Sequence, residues 1–233
     1  LFSDNRAQDA GGALYIKGDH GYIDSSVWSS TFHANYAGVD DNPSVGNGGA
    51  IFVENRDLVI HMSTLTENEA GSAGAHVALA NSSLRPFGSV LADAVDTAGC
   101  WAADGVNSDG YNFDDDVSCS DLWDETGDFG SGSDPLLGAL ADNGGPTYTR
   151  MPIATSPLLD WVPLSICQDF LSYSNAAWDQ RELSRAEVAS FDDGCDIGAV
   201  ERVGSVSFTL DGLQGPIHVT VDGAYDVDTE CEA

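Results

Sequence analysis

Gly48-Gly49-Ala50-Ile51-Phe52 repeats an earlier Gly11-Gly12-Ala13-Leu14-Tyr15 and survives in decayed form as Ala73-Gly74-Ala75-His76-Val77. A second motif keeps step with it: Phe2-Ser3-Asp4-Asn5-Arg6-Ala7, then Phe32-His33-Ala34-Asn35-Tyr36-Ala37, then Leu65-Thr66-Glu67-Asn68-Glu69-Ala70. Between them lie short β-like strings, Gly21-Tyr22-Ile23-Asp24, Ser30-Thr31-Phe32, Leu58-Val59-Ile60-His61 and Ser63-Thr64-Leu65, with no helical stripe of useful length. Self-similarity at a period of about 30 residues describes a solenoid, each coil lending one strand to each of several parallel sheets. The glycines then mark turns that need φ > 0 or close approach between coils. Asn5, Asn35 and Asn68 are expected to stack as an inward ladder, each side chain bonding the turns above and below. Residues 38–47 lengthen one coil into a loop. A β-sandwich would instead show hairpin turns every 8–12 residues or so and cleaner alternation.

The chain has 233 residues, with 38 acidic against 8 basic side chains and a net charge of -30. Such a surface excludes nucleic acid as a partner, because phosphate binding needs a surplus of Lys and Arg. It also repels anionic membranes and acidic polysaccharides. A hydrophobic fraction of 42% with 26 glycines sets the chain apart from both disordered polymers and membrane spans. Asp far outnumbers Glu, which fits turns where a short carboxylate bonds the backbone. Placed on a solenoid, this charge belongs to the outside, and salt or divalent cations are expected to keep the protein compact. Lys17 is the only lysine, a composition that fits a saline habitat as well as calcium-mediated assembly.

Four of the five cysteines fall into local pairs, Cys100 with Cys119 and Cys167 with Cys195. Each pair closes a loop of about 20 to 30 residues, worth on the order of 3 kcal/mol when oxidised. The pairing implies an extracellular setting. Cys231 is left over as a candidate for an intermolecular bond. The opening residues read as the inside of a repeat, so a piece of a longer secreted protein is expected. The sequon at Asn81-Ser82-Ser83 carries little weight. Residues 202–233 change character: Ser205–Leu210 and Ile217–Val221 alternate like a β-hairpin or the first strands of a further domain.

The motifs GG-A-[LI]-[YF] and S-T-[FL]-x-x-N-x-A resemble bacterial right-handed parallel β-helix repeat surface proteins, including those related to polymorphic outer-membrane proteins. The second half is similar to the "choice-of-anchor" β-helix domain. Its marks are Asp134-Pro135-Leu136-Leu137-Gly138 running on to Asp142-Asn143-Gly144-Gly145-Pro146-Thr147, then Ser156-Pro157-Leu158-Leu159-Asp160. Asp179-Gln180-Arg181, Arg185 and Cys195-Asp196-Ile197-Gly198-Ala199-Val200-Glu201 complete the set. The resemblance covers roughly residues 1–201. It implies an all-β, right-handed parallel β-helix over 1–201 with closing coils over 134–201, and the Cys100–Cys119 pair is expected to clamp an irregular loop over 100–133. The family usually has Gly where this chain has Glu182, so that turn is expected to differ.

Asp179, Arg181, Arg185 and Asp196 are expected to form a buried ion-pair network that closes the last coils, since buried charges come in matched sets. Asp114, Asp115 and Asp116, with Asp104, Asp109 and Asp121 nearby, are candidate calcium ligands through their hard oxygens. The alternative is a solvated acidic loop clamped by Cys100–Cys119. No other cofactor is implied. β-Helices also carry polysaccharide lyases and glycosidases. A lyase needs a cationic base, but Lys17 stands alone and the arginines are scattered. A glycosidase needs two carboxylates at a set separation, and the adjacent pairs Asp40-Asp41 and Asp192-Asp193 sit in an insertion and beside Cys195. His20, His33, His61, His76 and His218 are dispersed. Trp28, Tyr36, Trp101, Tyr111, Trp123, Tyr148, Trp161, Tyr173 and Trp178 include candidates for sugar stacking, though such residues more often cover solenoid flanks. The expectation is a secreted structural or adhesive protein at the cell surface, not an enzyme, with head-to-tail self-association into a filament or layer as a hypothesis. A carbohydrate-active enzyme and a non-catalytic glycan-binding module are the alternatives.

Overall fold

The computed structural model describes residues 1–18, 25–39, 44–102, 105–119, 125–130, 132–173, 177–185 and 194–202. The string Gly21–Asp24, the residues His20, Asp104, Asp121, Trp123 and His218, the pairs Asp40-Asp41 and Asp192-Asp193, and the tail 203–233 with Cys231 lie outside them. The chain is mostly β and its sheets are chiefly parallel. The first repeat supplies β1 (Phe2–Ser3), β2 (Arg6–Ala7), β3 (Leu14–Lys17) and β4 (Ser25–Trp28). The second supplies β5 (Thr31–His33), β6 (Tyr36–Ala37), β7 (Ile51–Glu54) and β8 (Leu58–His61). The third supplies β9 (Thr64–Thr66), β10 (Glu69–Ala70), β11 (Val77–Ala80) and β12 (Leu84–Phe87). There follow β13 (Val90–Ala92), β14 (Cys100–Ala102), β15 (Phe113–Asp114) and β16 (Phe129–Gly130). Sheet A is β1-β5-β9-β13-β15-β16, sheet B β2-β6-β10, sheet C β3-β7-β11-β14 and sheet D β4-β8-β12. Each repeat therefore adds one strand to each sheet.

The Gly-Gly motif has a separate reason for each glycine. Gly48 has φ of 65°, and a Cβ there would lie 2.2 Å from the Ile51 carbonyl oxygen. Gly49 sits where the next repeat comes close, and its Cβ would meet the Ala75 oxygen at 2.4 Å. Leu14, Ile51 and Val77 share a register position, so Gly74-Ala75 occupies the place of Gly48-Gly49. The third copy is thus Gly74–Ala78, one residue later than the sequence alignment placed it. The positive-φ glycine, here Gly74 at 68°, sets the frame.

Other corners use non-glycine residues in the left-handed region. Asp4, Ala34, Glu67 and Asp93 take it between sheets A and B, and Asn55 and Asn81 between C and D. Strand alternation sends Phe32, Ile51, Val53, Leu58, Ile60, Leu65, Val77 and Leu79 inward as one core. At about 25 cal/mol per Å² of apolar surface, each such side chain is worth roughly 2 kcal/mol relative to exposure.

Residues 134–201 were expected to add closing coils, but their described parts add no strand to sheets A to D. They form isolated antiparallel bridges (Leu137 with Pro152, Ala141 with Thr149, Trp178 with Ser184). They also form β17 (Val162–Pro163), helix α1 (Leu164–Tyr173) and β18 (Gly194–Cys195), the two strands pairing antiparallel. This segment lies on the outer faces of sheets A and D. Thr31 bonds Gln180, Thr64 accepts from the Ala199 N–H, and Phe170 of α1 stacks on Phe87 at 3.8 Å. Outward residues such as Thr31, Thr64, Val90 and Phe113 are buried for this reason. Conversely, the segment 100–133 does join the parallel stack, through β14, β15 and β16.

Candidate functional site

The recurring asparagines meet in space. Asn35 Nδ2 donates to Asn68 Oδ1 at 2.9 Å, and Asn5 Nδ2 donates to Asn35 Oδ1 at 2.8 Å. Each acceptor also takes a backbone N–H, from Asn35 and Asn5 respectively. Asn35 and Asn68 are fully buried and Asn5 is exposed. At the far end Asn68 Nδ2 donates to Nδ1 of His76 at 3.1 Å. Burial holds the His76 imidazole at a pKa of about 4, against the opposing pull of Asp116.

A second ladder runs beside it and escaped the sequence reading. The residue just before each strand of sheet A accepts the backbone N–H of its counterpart one repeat earlier. Ser30 N–H bonds Ser63 Oγ, Ser63 N–H bonds Ser89 Oγ, Ser89 N–H bonds Asn112 Oδ1, and Asn112 N–H bonds Asp128 Oδ1. The signal was present as Ser-Thr-Phe, Ser-Thr-Leu, Ser-Val-Leu, Asn-Phe-Asp and Asp-Phe-Gly. It was hidden because the accepting side chain changes from hydroxyl to amide to carboxylate.

Asp114, Asp115 and Asp116 offer oxygens within 4.8 Å of one another. All three are engaged by the chain. Asp114 continues the inward column Phe2, Phe32, Leu65 and Leu91, and its carboxylate accepts the Cys119 N–H at 2.6 Å. Asp115 accepts from Asp93, and Asp116 from Gly99 and Ser118. Burial raises the Asp115 pKa. Burial pushes Asp116 the same way, but its hydrogen bonds from Ser118 and Gly99 outweigh that and hold it below the ordinary value. The Cys100–Cys119 disulfide closes the same loop, with a Cα separation of 5.3 Å. These bonds and the disulfide tie the loop to its own backbone.

Asp179, Arg181, Arg185 and Asp196 lie together, all buried. Asp179 Oδ2 accepts from Arg181 at 2.8 Å, while Asp179 Oδ1 takes the N–H groups of Arg181 and Leu183. Asp196 accepts the N–H groups of Asp160 and Arg202. The direct partner of Arg185 is a residue outside the expected quartet, Glu201, at 2.8 Å. Burial raises the Asp196 pKa to about 7 and lifts Glu201 well above its ordinary value. Glu182, where a glycine was expected, has φ of 68°, and its N–H bonds the Asp179 carbonyl. The Cys167–Cys195 disulfide ties α1 to β18 beside this network.

His61 is buried among Trp28, Phe87 and Phe170, and neither ring nitrogen has a hydrogen-bond partner among the described residues. Its Nε2 lies 3.8 Å from Asp109, which Arg85 already binds at 2.9 Å. Burial lowers the imidazole to about 4. His33 lies 3.9 Å from Glu67, which Arg150 binds at 2.7 Å. Two clefts flank Arg6 and Tyr36, where the guanidinium sits 4.5 Å from the ring centroid. Their volumes, about 240 and 200 Å³, fall below the roughly 300 Å³ at which small-molecule sites begin. Of the candidate stacking residues, Trp28, Tyr111 and Trp161 pack on His61, Phe87 and Phe129. Trp161 is nevertheless exposed, as are Trp101, Tyr148 and Trp178.

No described helix is long and apolar enough to cross a membrane. Residues 1–17, which carry β1 to β3 and the first Gly-Gly motif, match the Chlamydia polymorphic membrane protein (Chlamydia_PMP) repeat. No curated protein and no solved structure matches the chain.

Proposed function

We propose that the chain is a secreted structural or adhesive protein of the cell surface, built as a right-handed parallel β-helix over residues 1–130, with residues 134–202 packed on its outer faces. The observation that carries this is the in-register addition of one strand per repeat to four parallel sheets. Two polar ladders along the stack and two disulfides support the same reading. Similarity to a polymorphic membrane protein repeat and the disulfides both favour an extracellular surface.

The role is scaffolding and not catalysis. The carboxylates and guanidinium groups of the closing network, and those of the disulfide loop, are engaged in backbone hydrogen bonds and ion pairs. A scaffold of this kind acts as a stalk or layer component, and stacking end to end makes it a filament. Two of the features behind the filament hypothesis, Cys231 and the strand-rich tail, lie outside the described residues. Electron microscopy of concentrated protein with calcium tests this: rods or sheets are expected, and monomers alone would remove the filament. Turnover of a glycan, abolished by one carboxylate substitution, would replace the scaffold reading with an enzymatic one.

A further inference from the structure

Across sheet C, register aligns Tyr15, Phe52, Ala78 and Trp101. Their neighbours Leu14, Ile51, Val77 and Cys100 belong to the inner core or pack against it, so alternation turns this column outward. Tyr15 is 50% exposed and Trp101 44%, while Ala78 is fully buried. Phe52 meets the Tyr15 ring edge-on at 5.3 Å. Two residues along each strand, Lys17, Glu54 and Ala80 form a parallel column. Lys17 pairs with Glu54 at 3.0 Å and the Tyr15 hydroxyl donates to the same carboxylate, so the ammonium and carboxylate of this column offset each other.

We propose that this aromatic column binds a single chain of a neutral, linear β-linked polysaccharide lying across the strands. Such a polymer presents a flat, C–H-rich face at every ring. Its advance per ring is close to the strand spacing of about 4.8 Å. Aromatic side chains offer an apolar face with polar groups at hand, here the hydroxyl of Tyr15 and the Lys17–Glu54 pair. Charge selects among glycans. A protein at -30 repels an acidic polymer, and Lys17 is already paired. Area argues against a protein partner. Even fully buried aromatic side chains contribute only about 150–250 Å² each. Three partly exposed rings therefore fall well short of the roughly 800 Å² per partner of a stable protein interface.

This site goes beyond the scaffold reading and does not depend on self-association. Its test is depletion of the protein from solution by microcrystalline cellulose and by crystalline chitin in high salt, with polygalacturonate as the acidic control. Retention on at least one neutral polymer and none on polygalacturonate is expected. Trp101→Ala should weaken retention by about tenfold, the upper range for one aromatic contact. Tyr15→Ala and Phe52→Ala should each weaken it several-fold, and they carry the test if Trp101→Ala does not fold. Trp178→Ala, exposed but off the column, should bind as the parent does. Passage through both neutral polymers, or undiminished binding by the column variants, would overturn the site. So would a Trp101→Ala variant whose only change is loss of a dimer in sedimentation velocity, since the column would then be a protein contact.

Discussion

Asn35 and Asn68, 33 positions apart in sequence, are joined inside the stack by a side-chain amide donating to a side-chain oxygen at 2.9 Å. The same Asn35 accepts from Asn5 on its other side. One amide thus holds three successive repeats in register.

Asn35→Ala should therefore cost more than one hydrogen bond. It removes the acceptor of the Asn5 N–H and of Asn5 Nδ2, and the donor to the Phe2 carbonyl and to the fully buried Asn68. A loss of about 2–4 kcal/mol is expected, since unsatisfied buried groups carry their full desolvation cost. Urea denaturation followed by circular dichroism measures it. A change under about 0.5 kcal/mol, the size of an ordinary surface substitution, would mean the ladder is ornamental.

Glu182 makes the opposite kind of prediction. Its φ of 68° places an L-residue in the left-handed region, which costs roughly 1–2 kcal/mol that glycine avoids. Part of that gain is returned because glycine loses more chain entropy on folding. Glu182→Gly should raise stability by about 0.5–1 kcal/mol, visible as a higher melting temperature. A fall would show that the Glu182 side chain contributes contacts that outweigh its backbone strain.

The pH dependence should be a balance of two opposed terms. His61 and His76 titrate near 4 in the folded protein against 6.5 unfolded, so their contribution is complete above pH 6.5 and lost as pH falls toward 4. Each represents on the order of 3 kcal/mol. Asp196 runs the other way: its pKa is raised from 3.8 to about 7, so its contribution is complete below pH 3.8 and lost as pH rises through 7. Glu201 acts in the same direction. Relative to the parent, His61→Leu should lose less stability between pH 6.5 and 4, and Asp196→Asn should lose more. Parallel stability-versus-pH curves for all three proteins would contradict the burial assigned to these groups.

Much of the fold was legible because its repeats use residues with one job each. Gly48 needs positive φ and the asparagines need a partner of their own kind, so both survive as identity. Spacing alone placed Cys100 with Cys119 and Cys167 with Cys195. The serine ladder was illegible because Ser89, Asn112 and Asp128 satisfy one geometry with different chemistry. Glu201 was missed as the partner of Arg185 because their pairing lies outside the repeats, where no period encodes it. Helix α1 sits outside the repeats and covers them, so the repeat pattern does not announce it.

Charge supplies a further prediction. With -30 on a chain whose acidic loop is already bonded to its own backbone, cations should act by screening. Melting temperature should rise with salt, and calcium should do no better than magnesium at matched ionic strength. A calcium-specific gain of several degrees, lost in Asp115→Asn, would instead make the Asp114–Asp116 cluster a calcium site.

The stacking order of the repeats is tested most directly by cysteine crosslinking along sheet C. Lys17 and Glu54 are register partners on adjacent strands, and Ala80 is one strand further on. Under mild oxidation Lys17→Cys with Glu54→Cys should form a disulfide, seen by peptide mass spectrometry, and so should Glu54→Cys with Ala80→Cys. Lys17→Cys with Ala80→Cys, two strand spacings or about 9.6 Å apart, exceeds the roughly 7 Å limit for a disulfide and should not. A bond between positions 17 and 80, with none between 17 and 54, would contradict the parallel stack on which the scaffold reading rests.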